Sequence, residues 1–268
     1  MFRATRSFVC LIAALSASGA IAQTKSEFDV ATIKPTPPDW GGGRWFRMQT
    51  AHQLAARNYT LKYLIAAAFN VSPKAISGDS AEWMDSDHWD VLAKTPGETR
   101  PDLERQMAML QALMIDRFHL KFHREQKEMP VYALTVAKGG PRLKESTLVP
   151  DATPEGPPLL AFVISPPLVR LPARYTTIGE LTGVMQRAAM DRPVLDQTGL
   201  KGRYDFDLEW MPDETQFGGA LGKPPNADMP DQPDLFAALQ KQLGLRLEAT
   251  RGPVETFVID SAERPSAN

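Results

Sequence analysis

Tyr59-Thr60-Leu61, Ile76-Ser77-Gly78, Trp89-Asp90-Val91-Leu92 and Pro101-Asp102-Leu103, met in that order within residues 59–137, decide the fold, because the same succession returns within residues 175–262. The later members are Tyr175-Thr176-Thr177, Leu200-Lys201-Gly202, Tyr204-Asp205-Phe206-Asp207 and Pro233-Asp234-Leu235. Each run opens on an aromatic-Thr step into a helical segment, passes an apolar-x-Gly turn and an Asp-bearing strand, and closes with a second helix and a hairpin. Such a repeat reduces a long chain to two copies of one small unit. The expectation is an α+β protein of two tandem small modules, each strand-helix-strand-strand-helix-hairpin, made by internal duplication.

In the first copy Leu61, Leu64, Ile65, Ala68 and Phe69 recur at helical spacing, predicting an amphipathic helix over residues 60–70 with Thr60 near its cap. Leu103, Met107, Leu110, Leu113, Met114 and Phe118 do the same for the second helix, with Pro101 at a first-turn position. Residues 120–123 and 131–137 are predicted as the two arms of the hairpin. The second copy is expected to use residues 168–171, 178–187, 194–196, 204–210, 235–243, 245–248 and 255–260, its last helix about two turns shorter.

Outward from the repeat, Arg3 and Arg6 precede an apolar run over residues 8–15, and small residues surround Ala20-Ile21-Ala22. This is the pattern of a signal peptide over residues 1–22. The run is less than half the ~20 residues that cross a bilayer, and no other stretch approaches that length. The mature chain is therefore expected to be secreted or periplasmic and not membrane-spanning. Its single cysteine, Cys10, lies inside the run, so thiol chemistry, disulfides and cysteine metal sites are excluded from the mature protein. The formal net charge of -2 becomes -4 when Arg3 and Arg6 are lost, and no basic stripe argues for nucleic acid. The expected organisation is a first α+β module over residues 23–140, a Pro-rich linker over 141–160, and a second α+β module over 161–268. Within the second, residues 211–233 carry Gly218-Gly219 and Pro224-Pro225 and read as a mobile loop.

The stretch Arg192-Pro193-Val194-Leu195-Asp196-Gln197-Thr198-Gly199-Leu200-Lys201-Gly202 resembles the apolar strand and following turn of the short N-terminal domain of secretins and TonB-dependent signal-transducing receptors. Residues 235–259 resemble that domain's closing helix and hairpin. The resemblance implies a periplasmic protein-protein contact, not a catalyst. Over nearly the whole mature chain, the sequence more closely resembles a paralogous family of exported proteins of unknown function, abundant in soil acidobacteria. The residues that carry this are Phe28-Asp29-Val30-Ala31-Thr32-Ile33-Lys34-Pro35, Asp116-Arg117-Phe118-His119-Leu120-Lys121-Phe122-His123-Arg124-Glu125, Glu128-Met129-Pro130-Val131-Tyr132-Ala133-Leu134 and Thr198-Gly199-Leu200-Lys201-Gly202-Arg203-Tyr204-Asp205-Phe206. The family implies no activity or catalytic residue. In some relatives a similar domain follows a membrane metallopeptidase of the antibiotic-sensor type, which implies sensing; that peptidase's zinc motif is absent here.

Trp83, Asp85, Asp87, His88, Trp89 and Asp90 form the densest mix of acids and aromatics. Aromatic stacking with carboxylate hydrogen bonds binds sugars, and paired acids hydrolyse glycosides; the competing reading is that both tryptophans pack. Asp205, Asp207 and Glu209 alternate with Phe206, Leu208 and Trp210, so the carboxylates share one strand face. Side chains spaced roughly 7 Å apart along that face do not wrap a hard cation, which favours a solvated face balanced by Arg203 or a neighbouring strand's cation. His119, Lys121 and His123 would point to one side of a strand, but two imidazoles lack a third ligand and Lys121 opposes a cation, so no metal is expected. Gly41-Gly42-Gly43-Arg44 lacks the Lys-Ser/Thr of a phosphate loop, and no nucleophile elbow or zinc-peptidase motif occurs.

These readings point to an exported non-catalytic protein-interaction or sensing module with an envelope protein partner, no cofactor and no catalytic residue. Exposed strand edges suit strand addition by that partner. The alternatives are a hydrolase of envelope or extracellular polymer, or a ligand-binding sensor. Both would use a cleft between the copies, and in the hydrolase the Asp85 to Asp90 group would face Asp205 to Glu209.

Overall fold

Residues 27–78, 81–98, 100–148, 160–221 and 232–265 are described by a computed structural model of the chain. The expected signal peptide lies outside the described residues, as do residues 149–159 of the Pro-rich stretch and residues 222–231 of the expected loop.

Three strands open the described chain: β1 (Val30–Pro35), β2 (Trp45–Thr50) and β3 (Gln53–Tyr59). Helix α1 (Leu61–Ala68) follows, capped by Thr60, whose hydroxyl accepts the Tyr63 N–H, and it buries Leu61, Leu64, Ile65 and Ala68 as the 3.6-residue period requires. After Asn70, in the left-handed region at φ 53, come the short strand β4 (Ile76–Gly78), the single turn α2 (Trp83–Ser86) and β5 (Trp89–Lys94). Helix α3 (Leu103–Arg117) is capped by Asp102, so Pro101 stands one residue before the cap and not in the first turn. Then comes β6 (Lys121–Val136).

The rest of the chain contributes β7 (Lys144–Glu145), β8 (Val163–Ser165) and β9 (Leu168–Thr176). Helix α4 (Ile178–Val184) carries a full capping box between Thr177 and Glu180 and runs into a π-turn over Met185–Ala189. Thr177, not Thr176, is the cap, so the aromatic-Thr openings read from the sequence are out of step by one residue at the helix start. Strands β10 (Val194–Asp196) and β11 (Tyr204–Trp210) precede helix α5 (Leu235–Ala238), which is capped by Asp234 and extended by a π-turn over Leu239–Leu243. Strand β12 (Leu245–Ser261) is last. Leu200-Lys201-Gly202 is not a strand, whereas Ile76-Ser77-Gly78 is; the strand placed like β4 is β10.

The two predicted hairpins do not form. Strands β6 and β12 each run unbroken and pair with each other, antiparallel, from Leu245↔Val136 to Ser261↔Lys121. The polar run from Glu125 to Pro130 imitates a turn, but a two-stranded ribbon open to solvent tolerates it as strand. Pro130 opposes Arg251 and Pro253 opposes Glu128, alternate pairs of one kind along the ladder. Two residues after Pro130, the Tyr132 N–H points outward to the Pro193 carbonyl, so the nitrogen of Pro130 also faces away from β12 and costs no ladder bond.

Among the described residues three four-stranded sheets result, in the orders β1-β5-β3-β2, β10-β6-β12-β4 and β7-β11-β9-β8. In the central one, β10 lies parallel to β6 with Val194 opposite Tyr132, and β4 lies parallel to β12 with Ile76 opposite Phe257. The cores follow this exchange. One joins α1 and α3 to the first sheet and takes Phe257 and Ile259 from β12. The other joins α4 and α5 to the third sheet and takes Leu134 from β6. Within the stretch expected to be a linker, Lys144 and Glu145 pair with β11, and the Arg142 N–H bonds the Leu243 carbonyl. At the start of the expected loop, buried Gln216 accepts the Trp210 indole N–H at 2.8 Å, and the Met211 N–H bonds the Pro233 carbonyl.

Candidate functional site

The acids singled out in the sequence are held by their own sheets. Asp90 accepts the Asn58 N–H at 3.0 Å and the Thr36 hydroxyl at 2.7 Å, and pairs with Arg57 at 3.3 Å. Asp205 accepts the Tyr175 N–H at 2.8 Å. Asn58 and Tyr175 are non-glycine residues with φ of 61 and 54, each two residues before a helix cap. Each aspartate thus braces a left-handed turn from strand to helix, a conformation that costs free energy outside glycine. Burial raises the Asp205 carboxyl, but the Tyr175 N–H, the Ser146 hydroxyl and the Arg174 charge outweigh it, leaving the group below its ordinary value. Asp207 pairs with Arg174 at 2.9 Å and Glu209 with Arg170 at 3.1 Å, so β9 supplies the balancing cations, not Arg203. Arg203 pairs with Glu180.

Trp83 stacks on Phe118 with 6.5 Å between centroids, and Trp89 meets the same ring edge-on at 5.9 Å. Arg264 covers Trp83 and pairs with Asp87 at 2.8 Å; Lys62 pairs with Asp85 at 3.1 Å. His88 is exposed and donates from Nδ1 to the Ser86 carbonyl. The Asp85 to Asp90 group and the Asp205 to Glu209 group share no hydrogen bond or ion pair among the described residues. His119, at φ 48, precedes β6, so it does not share a strand face with Lys121 and His123 as expected. His123 lies between Glu125 at 3.2 Å and Asp260 at 2.8 Å, both of which raise its pKa. Among the described residues, no group of three or more acids, histidines or cysteines is arranged to hold a metal.

A different cluster lies where the end of α1 meets the π-turn after α4. Asn70 Oδ1 accepts from the Arg187 guanidinium, and the Asn70 carbonyl accepts from Gln186 at 3.1 Å. Gly183 makes this approach possible: a Cβ there would stand 2.5 Å from Asn70 Oδ1 and 2.9 Å from Arg187 Nη1. Beside them the half-buried phenol of Tyr59 feels both Arg44 and Arg187. Arg44 lies 3.5 Å from the centroid of Tyr63 and 5.2 Å from that of Tyr59. Gly218 would bring a Cβ to 3.8 Å from the Tyr63 hydroxyl. Asn70 and Arg187 are far apart in the chain, so no local pattern announces their meeting; the one signal is Gly183, an isolated glycine inside a helical pattern.

A family model described as a protein of unknown function (DUF3738) matches residues 62–262. No curated protein and no solved structure matches the chain.

Proposed function

The chain belongs to the DUF3738 family of proteins of unknown function, and from its own geometry we propose that it is an exported, non-catalytic interaction module, built by duplication of one α+β unit, that binds an envelope protein by strand addition. One observation carries the binding mode. Among the described residues strand β8 ends its sheet, paired on one side to β9, and its Val163 and Ile164 are 47% and 44% exposed. An edge with exposed apolar β-branched side chains can accept a partner's strand, and because β8 is three residues long and runs into Pro166-Pro167, the pairing it offers is short. The acids of the two groups are held within their own sheets and share no hydrogen bond or ion pair with each other among the described residues, which supports this reading over a hydrolase that opposes them.

Duplication is supported by reciprocity in the central sheet. Tyr132 and Phe257, the residues that receive β10 and β4, stand as far apart in the chain as Glu128 and Pro253, which oppose each other in the ribbon. His119 and Gly244, the left-handed residues before β6 and β12, keep the same separation.

The test is capture of partners from envelope extract by the wild type and by Ile164→Lys, with folding of the variant checked by circular dichroism. The proposal expects an envelope protein enriched by the wild type and lost with Ile164→Lys. Equal recovery by both would remove β8 as the binding edge. A second reading, a ligand sensor, is favoured by the cluster around Arg187.

A further inference from the structure

We infer that Arg187 and Arg44, with the hydroxyls of Tyr59 and Tyr63, form a binding site for an oxyanion of the carboxylate or phosphate type at the junction of α1 and the π-turn after α4. The inference concerns the sensor reading and does not depend on the β8 edge.

A guanidinium drawn from water is normally compensated by a carboxylate, because desolvating it alone is costly. Arg57, Arg170, Arg174, Arg203 and Arg264, at part-exposed positions, are each paired with an aspartate or glutamate, whereas Arg117 and Arg142 bond backbone carbonyls. Arg187 is half-buried, and among the described residues its partner is the neutral Asn70 amide and no carboxylate. Burial lowers its pKa to about 10, which still leaves it charged at neutral pH. Arg44 is likewise held by the faces of Tyr59 and Tyr63 with no carboxylate among the described residues. Arg44 thus stands over Tyr63 and beside Tyr59, and Arg187 at Asn70 on the same helix end, with no carboxylate paired to either among the described residues.

The geometry suits an oxyanion more than any other ligand. Asn70 occupies Nη1 of Arg187, which orients the guanidinium plane and leaves Nε and Nη2 without a partner among the described residues, the edge that grips a carboxylate or phosphate through two N–H groups. Arg187 lies in a π-turn, an irregularity that re-aims side chains and recurs at functional sites. Phe217 and Gly218, at φ 55 and 67, bring the chain past the Tyr63 hydroxyl and close one side of the cluster.

The experiment titrates the intact protein with inorganic phosphate and with malonate, each against chloride at equal ionic strength, reading heat of binding and thermal midpoint. The expected result is that at least one of the two raises the midpoint beyond chloride; which one distinguishes a phosphorylated from a carboxylated ligand. Arg187→Gln should weaken that binding about tenfold or more, the usual loss of a charged hydrogen bond. Arg187→Lys, which keeps the charge but not the fork, should weaken it too, and Arg246→Gln, at an exposed arginine paired with Glu248, should not. Two results overturn the inference: no response to either anion beyond chloride, or unchanged affinity in folded Arg187→Gln. Should Arg187→Gln not fold, unchanged affinity in both Arg187→Lys and Arg44→Gln overturns it equally.

Discussion

Asp90 and Asp205 do at the residue scale what an isolated glycine usually does: they make a left-handed residue tolerable, by accepting the N–H of Asn58 or Tyr175. The Asp205 carboxyl is held below its ordinary 3.8. A carboxylate whose folded pKa is depressed stabilises fully above its unfolded value and loses that contribution as pH falls through the folded value. Asp205→Asn is therefore expected to cost about 2 kcal/mol at pH 7, by the usual worth of a hydrogen bond to a charged group. Below the ordinary carboxyl range its urea midpoint should converge on that of the wild type. A constant difference between the two from neutral to strongly acid pH would show that the charge plays no part. The alternation of acids with Phe206, Leu208 and Trp210 was legible in the sequence, because period two is a local property of a strand. Their partners were not, since the register of β9 brings Arg170 opposite Glu209, and the irregularity before Phe206 leaves Arg174 to reach Asp207 diagonally.

Among the elements, the positions of the helices were legible but their starts only in part: Thr60 is the cap it reads as, whereas Pro101, read into a first turn, stands before the cap Asp102. The long strands were least legible, since a solvent-facing ribbon and a turn select the same polar residues, and only the partner distinguishes them. Gly78 shows how closely the exchanged strand is seated. It has φ 113, and a Cβ there would collide with the backbone carbonyl of Ile259 on β12. Gly78→Ala is expected to destabilise by about 1–3 kcal/mol, the usual cost of overpacking a fixed contact. Gly43→Ala, where a Cβ meets nothing within 4 Å, should leave the denaturation midpoint unchanged. Equal midpoints for both variants would mean that β4 does not dock on β12 in solution.

For the whole molecule, the exchange of β4 and β10 makes each core depend on the far end of the chain. Fully buried Phe257 packs with Phe69 and Phe122, and fully buried Leu134 completes the second core. Two tandem modules with separate hairpins would each hold a complete core, which is the arrangement that pairing of strands adjacent in sequence implies. Here neither part can bury its apolar face alone, so folding and unfolding should be all-or-none across the chain. The same coupling fixes the position of Arg187 relative to Tyr59 and holds the sheet that presents β8. The measurement that tests this most directly is urea unfolding of the fragments 27–148 and 160–265, each alone and then mixed in equal amounts. The structure predicts no cooperative transition for either fragment alone and one shared transition on mixing; a fragment that unfolds cooperatively by itself, with a midpoint near that of the intact chain, would contradict it.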